Sequence, residues 1–138
     1  MTTPSIAQSF DLASRPQRLA GQFVDGLVAA VPFLVALLVT ALLPRSEIVG
    51  VVPVAVAAIL GVLYTLLSDG LEGGQSIGKR LVGIRVVSMS TGAPCTFGQS
   101  FVRNLLLMIL GPIDWLFIFG ERHQRLGDKA AGTIVILD

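Results

Sequence analysis

The sequence predicts an all-α membrane protein with two transmembrane helices in an antiparallel hairpin, a third apolar helix that is broken or re-entrant, and a small cytoplasmic β-pair. Three observations lead there. The 138 residues are 53 % hydrophobic with a mean hydropathy of +0.79. Charged residues make up 14 %, against roughly 25 % in soluble domains, too few to cover a globule this small. Two apolar runs are each long enough to cross a bilayer, and a third is interrupted by Gly-Pro.

The first span is Leu19 to Leu43, broken only by Gln22, Asp25 and Thr40. A helix of that length reaches about 37 Å, enough for a hydrocarbon core of ~30 Å with some tilt. It is too long for the apolar core of a cleaved signal peptide, about 7–15 residues. Pro32 falls mid-span, where a kink is expected. Residues 1–14 read as a cytoplasmic tail and 15–138 as a single membrane domain.

Pro44-Arg45-Ser46-Glu47 is a break short enough to force an antiparallel return. The second span runs from about 48 to 68, ending at Ser68-Asp69-Gly70. Its stripe of Ala57, Ala58, Gly61, Thr65 and Ser68 has the small side chains that let membrane helices approach closely.

From Gly70 to Gly98 glycine, Lys79, Arg80, Arg85 and a turn-rich Ser90-Thr91-Gly92-Ala93-Pro94 mark an extramembrane connection. Within it 81–87 is β-branched, as is 132–136 near the C-terminus, and the two are expected to pair. The third apolar segment, about 101–120, carries Arg103, Asn104, Gly111-Pro112 and Asp114. It either crosses once or enters and returns. A single crossing would put Arg122, Arg125 and Lys129 outside, against the cytoplasmic excess of Lys and Arg. A re-entrant turn keeps them inside with Arg15, Arg18, Lys79, Arg80, Arg85 and Arg103, leaving Arg45 outside. The expected setting is the cell membrane, with a cytoplasmic N-terminus.

Composition also narrows the chemistry. A net charge of +1 gives no field for nucleic acid. One cysteine, Cys95, and one histidine, His123, supply neither a disulfide framework nor a zinc site. Gly73 to Arg80 approaches a phosphate-binding loop, but Arg80 replaces the Ser/Thr that would bind magnesium and no strand precedes it. Nucleotide, cofactor and metal are therefore not expected, and no nucleophile–base set points to an enzyme.

The polar residues inside the apolar segments need a reason. Asp25 shares a helical stripe with Arg18, Gly21, Gln22, Ala29 and Pro32. An ionisable group there is costly unless it faces the protein interior and finds a partner; Arg18, two turns earlier, is the nearest base in sequence. Asp114 is the second intramembrane acid, placed where a helix restarting at Pro112 favours an anion.

Arg18 to Asp25, then Gly74-Gln75-Ser76-Ile77-Gly78-Lys79-Arg80-Leu81-Val82-Gly83-Ile84-Arg85-Val86-Val87, then Arg103-Asn104-Leu105, then Arg125-Leu126-Gly127-Asp128-Lys129-Ala130-Ala131-Gly132-Thr133 together resemble the RDD family of small membrane proteins. The likeness covers about residues 15 to 137, with four motifs in order. It implies that Arg18 and Asp25 are the family's arginine and first aspartate, and that Asp128 is the second; Asp114 competes for that role on burial grounds. It further implies a transport activity, with cation/proton exchange the most concrete form.

Two functions follow as expectations. In the first, a homo-oligomer encloses a polar pathway for monovalent cations or protons, with Asp25 as the exchanging carboxylate and Arg18 and Asp128 at its cytoplasmic mouth. In the second, Arg18, Asp25 and Asp128 form a charge network locking the first helix to the C-terminal segment of a membrane assembly protein. In both, the lipid bilayer is the one partner the composition requires.

Overall fold

The computed structural model describes residues 10–43 and 46–138, except for the side chain of Glu47. Residues 1–9 of the expected tail, and Pro44 and Arg45 of the expected break, lie outside the described residues. Helix α1 (Arg15–Leu42) starts four residues before the apolar run. Ser14 and Gln17 form a capping box there, each side chain satisfying the other's backbone N–H. The helix continues unbroken through Pro32. Helix α2 (Glu47–Leu67) is capped by Ser46, whose hydroxyl accepts from Val49 N. Both are long and apolar enough to cross a membrane, and most of their Leu, Val and Ile side chains face outward, Leu66 being buried.

The two helices pack as a hairpin, closest where Gly61 meets the Ala29 carbonyl; a Cβ at Gly61 would lie 2.8 Å from that oxygen. The expected small-residue stripe is only partly an interface. Ala57 is buried, whereas Ala58 is exposed, and the Thr65 hydroxyl donates to Gly61 O within its own helix rather than across to α1. A hydroxyl one turn from a carbonyl finds that carbonyl first.

Two 3-10 turns, Ser68–Gly70 and Glu72–Gly74, lead from α2 to α3 (Ile77–Leu81). Gly74 has φ +74°, and a Cβ there would overlap the Val86 carbonyl, so both backbone and space demand glycine. Strand β1 (Ile84–Ser88) pairs antiparallel with β2 (Thr133–Leu137), Val86 opposite Val135. The β-pair thus forms as expected.

Residues 11–13 do not project as a tail. Ala13 N donates to Val135 O at 3.1 Å and Leu137 N to Asp11 O at 2.9 Å, along the free edge of β2. Ala13 is fully buried in one apolar cluster with Ile84, Val86, Cys95 and Val135; Val87, Ile134 and Ile136 form a second.

Helix α4 (Phe97–Leu110) begins at a Thr96–Gln99 capping box, four residues before the expected start. At Gly111, φ +54°, the chain bends by 109° into α5 (Pro112–Leu116) and a 3-10 turn, Phe117–Phe119. Phe97 abuts Gly70 at the end of α2, and the His123 ring lies 3.3 Å from Ala13 O. Both ends of the segment therefore sit at the same end of the hairpin. The third apolar segment is broken at Gly111-Pro112 and returns. Helix α6 (Leu126–Ala131) follows, ending at Gly132 in the left-handed region, φ +65°, and leads into β2.

A buried charge network as the candidate functional site

Asp25 is placed by α1, one helical face away from lipid, against the turn that opens α3. Its Oδ1 accepts from the Tyr64 hydroxyl and from Gly78 N, both at 2.8 Å. Its Oδ2 accepts from the Ser76 hydroxyl at 2.5 Å and lies 3.4 Å from Lys79 Nζ. The approach is so close that a Cβ on Gly78 would lie 2.9 Å from the carboxylate carbon of Asp25. The near-phosphate-loop sequence thus does have an anion in its turn, but the anion is a side chain of α1.

Lys79 reaches a second acid. Its Nζ lies 2.6 Å from Asp69 Oδ1, while Asp69 Oδ2 accepts from Arg103 Nη1 at 2.8 Å and Asn104 Nδ2 at 3.1 Å. Ser100, a turn before Asn104, donates its hydroxyl to Leu66 O and accepts from Asp69 N, which ties α4 to the end of α2. Arg103 then passes to Asp128, with Nη2 at 2.6 Å and Nε at 3.0 Å from Oδ1. Asp128 Oδ2 accepts from Arg18 and from the backbone N of Arg125.

Arg125 closes the network. Its Nε lies 3.6 Å from Asp114 Oδ2 and its Nη2 3.7 Å from Asp128 Oδ1. Asp114 Oδ1 accepts from Gly127 N at 2.7 Å, so this acid, which makes no capping hydrogen bond to α5, holds the first turn of α6. Gly127 itself lies against the Arg103 backbone, where a Cβ would overlap the carbonyl. The Arg125 guanidinium is 5.3 Å from the centre of the Trp115 ring, Lys129 is 5.4 Å from Phe117, and Arg15 is 5.1 Å from Phe119. Three aromatic side chains of the returning segment are therefore each faced by a base.

Four carboxylates, Asp25, Asp69, Asp114 and Asp128, thus meet four bases, Arg18, Lys79, Arg103 and Arg125. All eight side chains are buried. Such charges are tolerated inside a protein only when paired and hydrogen-bonded. Burial alone would raise the Asp128 carboxyl, but Arg103, Arg18 and Arg125 outweigh it and hold this group well below the usual carboxylate range. Beside the network, between α1, α2 and α4, lies a cavity of about 120 Å³. Asp25, Asp69, Lys79, Gln22, Thr65 and Asn104 line it, with Gly26 and Ser68.

The expected site residues divide accordingly. Asp25, Asp114, Asp128 and Arg18 all belong to the network, and Lys79, Arg103, Asn104, Arg125 and Gly127 join them. One expected pairing is corrected: Arg18 meets Asp128, not Asp25, whose ammonium partner comes from α3. Arg18 and Asp128 do not line the cavity either, so they form no mouth to it. Lys79 is buried, while Arg80, next to it, is exposed. Gly74 and Gln75 act structurally, Gln75 Nε2 donating to Ile84 O and to Asp138. Gly21 lets α3 approach, with Lys79 Cγ 3.4 Å from where its Cβ would be. Asp69 and Tyr64 were not expected. The signal for Asp69 is the stripe Gly61–Thr65–Asp69 at a spacing of four, which extends the small face of α2 by one turn into an acid; Tyr64 falls outside that stripe.

Fold and site define a small membrane protein: an apolar helical hairpin with a returning third helix, sealed at one end by a neutral cluster of buried charges. The RDD family pattern matches residues 12–132, and the chain belongs to that family. A proline-rich antigen homolog of Mycobacterium tuberculosis is 37 % identical over 67 residues, 46 % of this chain and 28 % of the relative. A proline-rich antigen of Mycobacterium leprae is 36 % identical over 67 residues, 46 % of this chain and 27 % of the relative. An uncharacterized protein of Haemophilus influenzae is 32 % identical over 72 residues, 47 % of this chain and 46 % of the relative. The chain therefore spans less than half the length of these relatives. No solved structure matches it.

Proposed function

We propose that the protein is a non-enzymatic transporter of the cell membrane, with a cytoplasmic N-terminus, that exchanges monovalent cations for protons at Asp25. The observation that carries this reading is the polar cavity: it lies between α1, α2 and α4, lined by two carboxylates, Asp25 and Asp69, and one ammonium, Lys79. Intramembrane acids facing a polar space mark ion or proton paths. Two spans and a returning segment enclose no continuous pathway alone, so a homo-oligomer is part of the proposal. Purified protein in liposomes holding a pH-sensitive dye, given sodium, potassium or lithium gradients, tests it. Cation-driven proton movement is expected in the wild type and lost in Asp25→Asn. Equal movement in both, or none in either with both proteins folded, overturns it.

A second reading is favoured by the four-against-four charge balance. Buried ion pairs can specify one arrangement without carrying anything. In that reading the network is a lock and the protein organises another membrane component; Asp25→Asn then lowers abundance and changes no flux.

A further inference from the structure

A second pocket, of about 480 Å³, lies apart from the charge network, where the returning segment meets the end of the β-pair. Phe117, Met89 and Gln124 line it, together with two bases, Arg122 and Lys129, and one acid, Glu121. The bases arrive from different elements, Arg122 from the turn after Phe117–Phe119 and Lys129 from α6. Both are exposed, and among the described residues neither has a carboxylate at ion-pair distance. Gln124 is fixed by Nε2 bonds to Thr133 O and Met89 Sδ, which ties that wall to the β-pair. Beside the pocket, large apolar side chains stay uncovered: Leu116, Phe117 and Phe119 are 65 %, 41 % and 68 % exposed. Lys129 stands over the Phe117 ring and Arg15 over the Phe119 ring. Exposed aromatic rings carrying basic side chains are the pattern of a membrane–water boundary.

We propose that this pocket seats the headgroup of one anionic phospholipid, with Arg122 and Lys129 on its phosphate and its acyl chains against Leu116, Phe117 and Phe119. The proposal stands apart from ion exchange and holds whether the buried network carries ions or only locks the fold. Two observations select the ligand. The first is charge: two bases and one acid leave the pocket with one surplus positive charge. A phosphodiester headgroup with an uncharged alcohol, as in phosphatidylglycerol, brings the one negative charge that answers it. The choline headgroup carries its own cation and gains nothing from the surplus. The second is the rim. A soluble phosphate would satisfy the bases and leave the three apolar side chains in water, whereas a lipid covers both surfaces. Because Phe117 belongs to the returning segment and Lys129 to α6, one bound lipid would also pin these two elements together.

The test uses the full chain in phosphatidylcholine vesicles and reads the fluorescence of Trp115, the one tryptophan, two residues before Phe117. A minor fraction of the lipid carries quenching bromines on its acyl chains, as phosphatidylglycerol in one sample and as phosphatidylcholine in the other. At equal bromine content, phosphatidylglycerol should be enriched beside Trp115 by about fivefold, the preference that one net surface charge confers. Joint Arg122→Gln and Lys129→Gln reverses the pocket's charge and should bring the two lipids level. Glu121→Gln doubles the surplus and should raise the preference by a further factor of about five. Arg80→Gln, which removes an exposed base of α3 outside the pocket, should leave it unchanged. Equal quenching by the two lipids in the wild type overturns the proposal. So does an equal loss in Arg80→Gln, which would reveal a diffuse surface effect, and so does the absence of any gain in Glu121→Gln, an arm that decides even where the double variant does not fold. Excess inorganic phosphate separates the two sources of the anion: a preference that survives it supports the lipid, and one that it abolishes assigns the pocket to a soluble phosphate and overturns the proposal.

Discussion

Arg18, in the first turn of α1, donates to Asp128, in the first turn of α6, across 110 residues of chain. Both side chains are buried. The pair closes the domain on itself, joining the first element to the last helix, and it does so at the point where Arg103 and Arg125 converge on the same carboxylate.

The two ends of that pair are unequal. Asp128→Asn removes the one anion that Arg18 and Arg103 share and should cost about 3–5 kcal/mol, the usual penalty for stranding buried charge. Arg18→Gln leaves Asp128 with two guanidiniums and should cost less, about 1.5–3 kcal/mol for a charged hydrogen bond. Thermal unfolding in detergent reads both. The reverse order would mean that Arg18, not Asp128, is the hub.

Acid should weaken this hub in a defined direction. In the unfolded chain Asp128 titrates near ~3.9, whereas in the fold it is held well below the usual carboxylate range. Between those values the unfolded chain binds a proton that the folded one does not, so stability falls as pH falls. The contribution is complete above about pH 5 and is lost progressively through and below about pH 4. The Tm difference between wild type and Asp128→Asn should therefore narrow on acidification. A constant difference from neutral pH down to about 3 would remove the pairing as its cause.

Gly78 and Gly127 are the steric limits of the network. A Cβ at Gly78 would overlap the Gly21 carbonyl, and one at Gly127 the Arg103 carbonyl. Gly78→Ala and Gly127→Ala should each destabilise by about 1–3 kcal/mol or more, since backbone cannot yield as a side chain does. Gly26→Ala, where nothing lies within 4 Å, is the matched control and should be neutral. Size-exclusion profiles of the three variants check the contrast.

Tyr64 supports Asp25 from α2, donating to Oδ1 at 2.8 Å and accepting from Ile77 N at 3.2 Å. Tyr64→Phe should cost about 1–3 kcal/mol, because the carboxylate and the N–H each lose a partner. A change in Tm of less than about 0.5 kcal/mol equivalent would show that Ser76, Gly78 and Lys79 suffice.

Cys95 is a ready reporter of unfolding. It lies in the β-pair core, and burial pushes its thiol up to about 11. Maleimide at neutral pH should therefore leave the folded protein unlabelled and react fully after denaturation. Rapid labelling of the folded protein would mean that the strand cluster opens readily.

Much of the architecture was legible one element at a time. The two spans follow from uninterrupted apolar length, the third-segment break from Gly111-Pro112, and the β-pair from two β-branched stretches. Their boundaries moved toward the capping residues, Ser14 and Thr96, because a helix starts where its free N–H groups find acceptors rather than where hydrophobicity begins. The site was legible as a list of residues more than as a set of contacts. Asp25, Asp114, Asp128 and Arg18 stood out because charge within or beside apolar sequence demands a partner. Asp69 did not, since an acid at the end of a span looks like any solvated turn.

The amino-acid sequence by itself therefore determined that the chain enters a membrane, that two of its apolar runs are long enough to cross it, and that several charges must find compensation inside it. Those are consequences of length, composition and the cost of burying an ion, and they need no knowledge of neighbours. Only the tertiary structure decided who compensates whom: Lys79 for Asp25 and Asp69, Arg103 for Asp69 and Asp128, Arg18 for Asp128. Partner choice depends on distances of a few ångströms between elements up to 110 residues apart, set by the close approach of α3 to α1 at Gly78 and of α6 to α4 at Gly127.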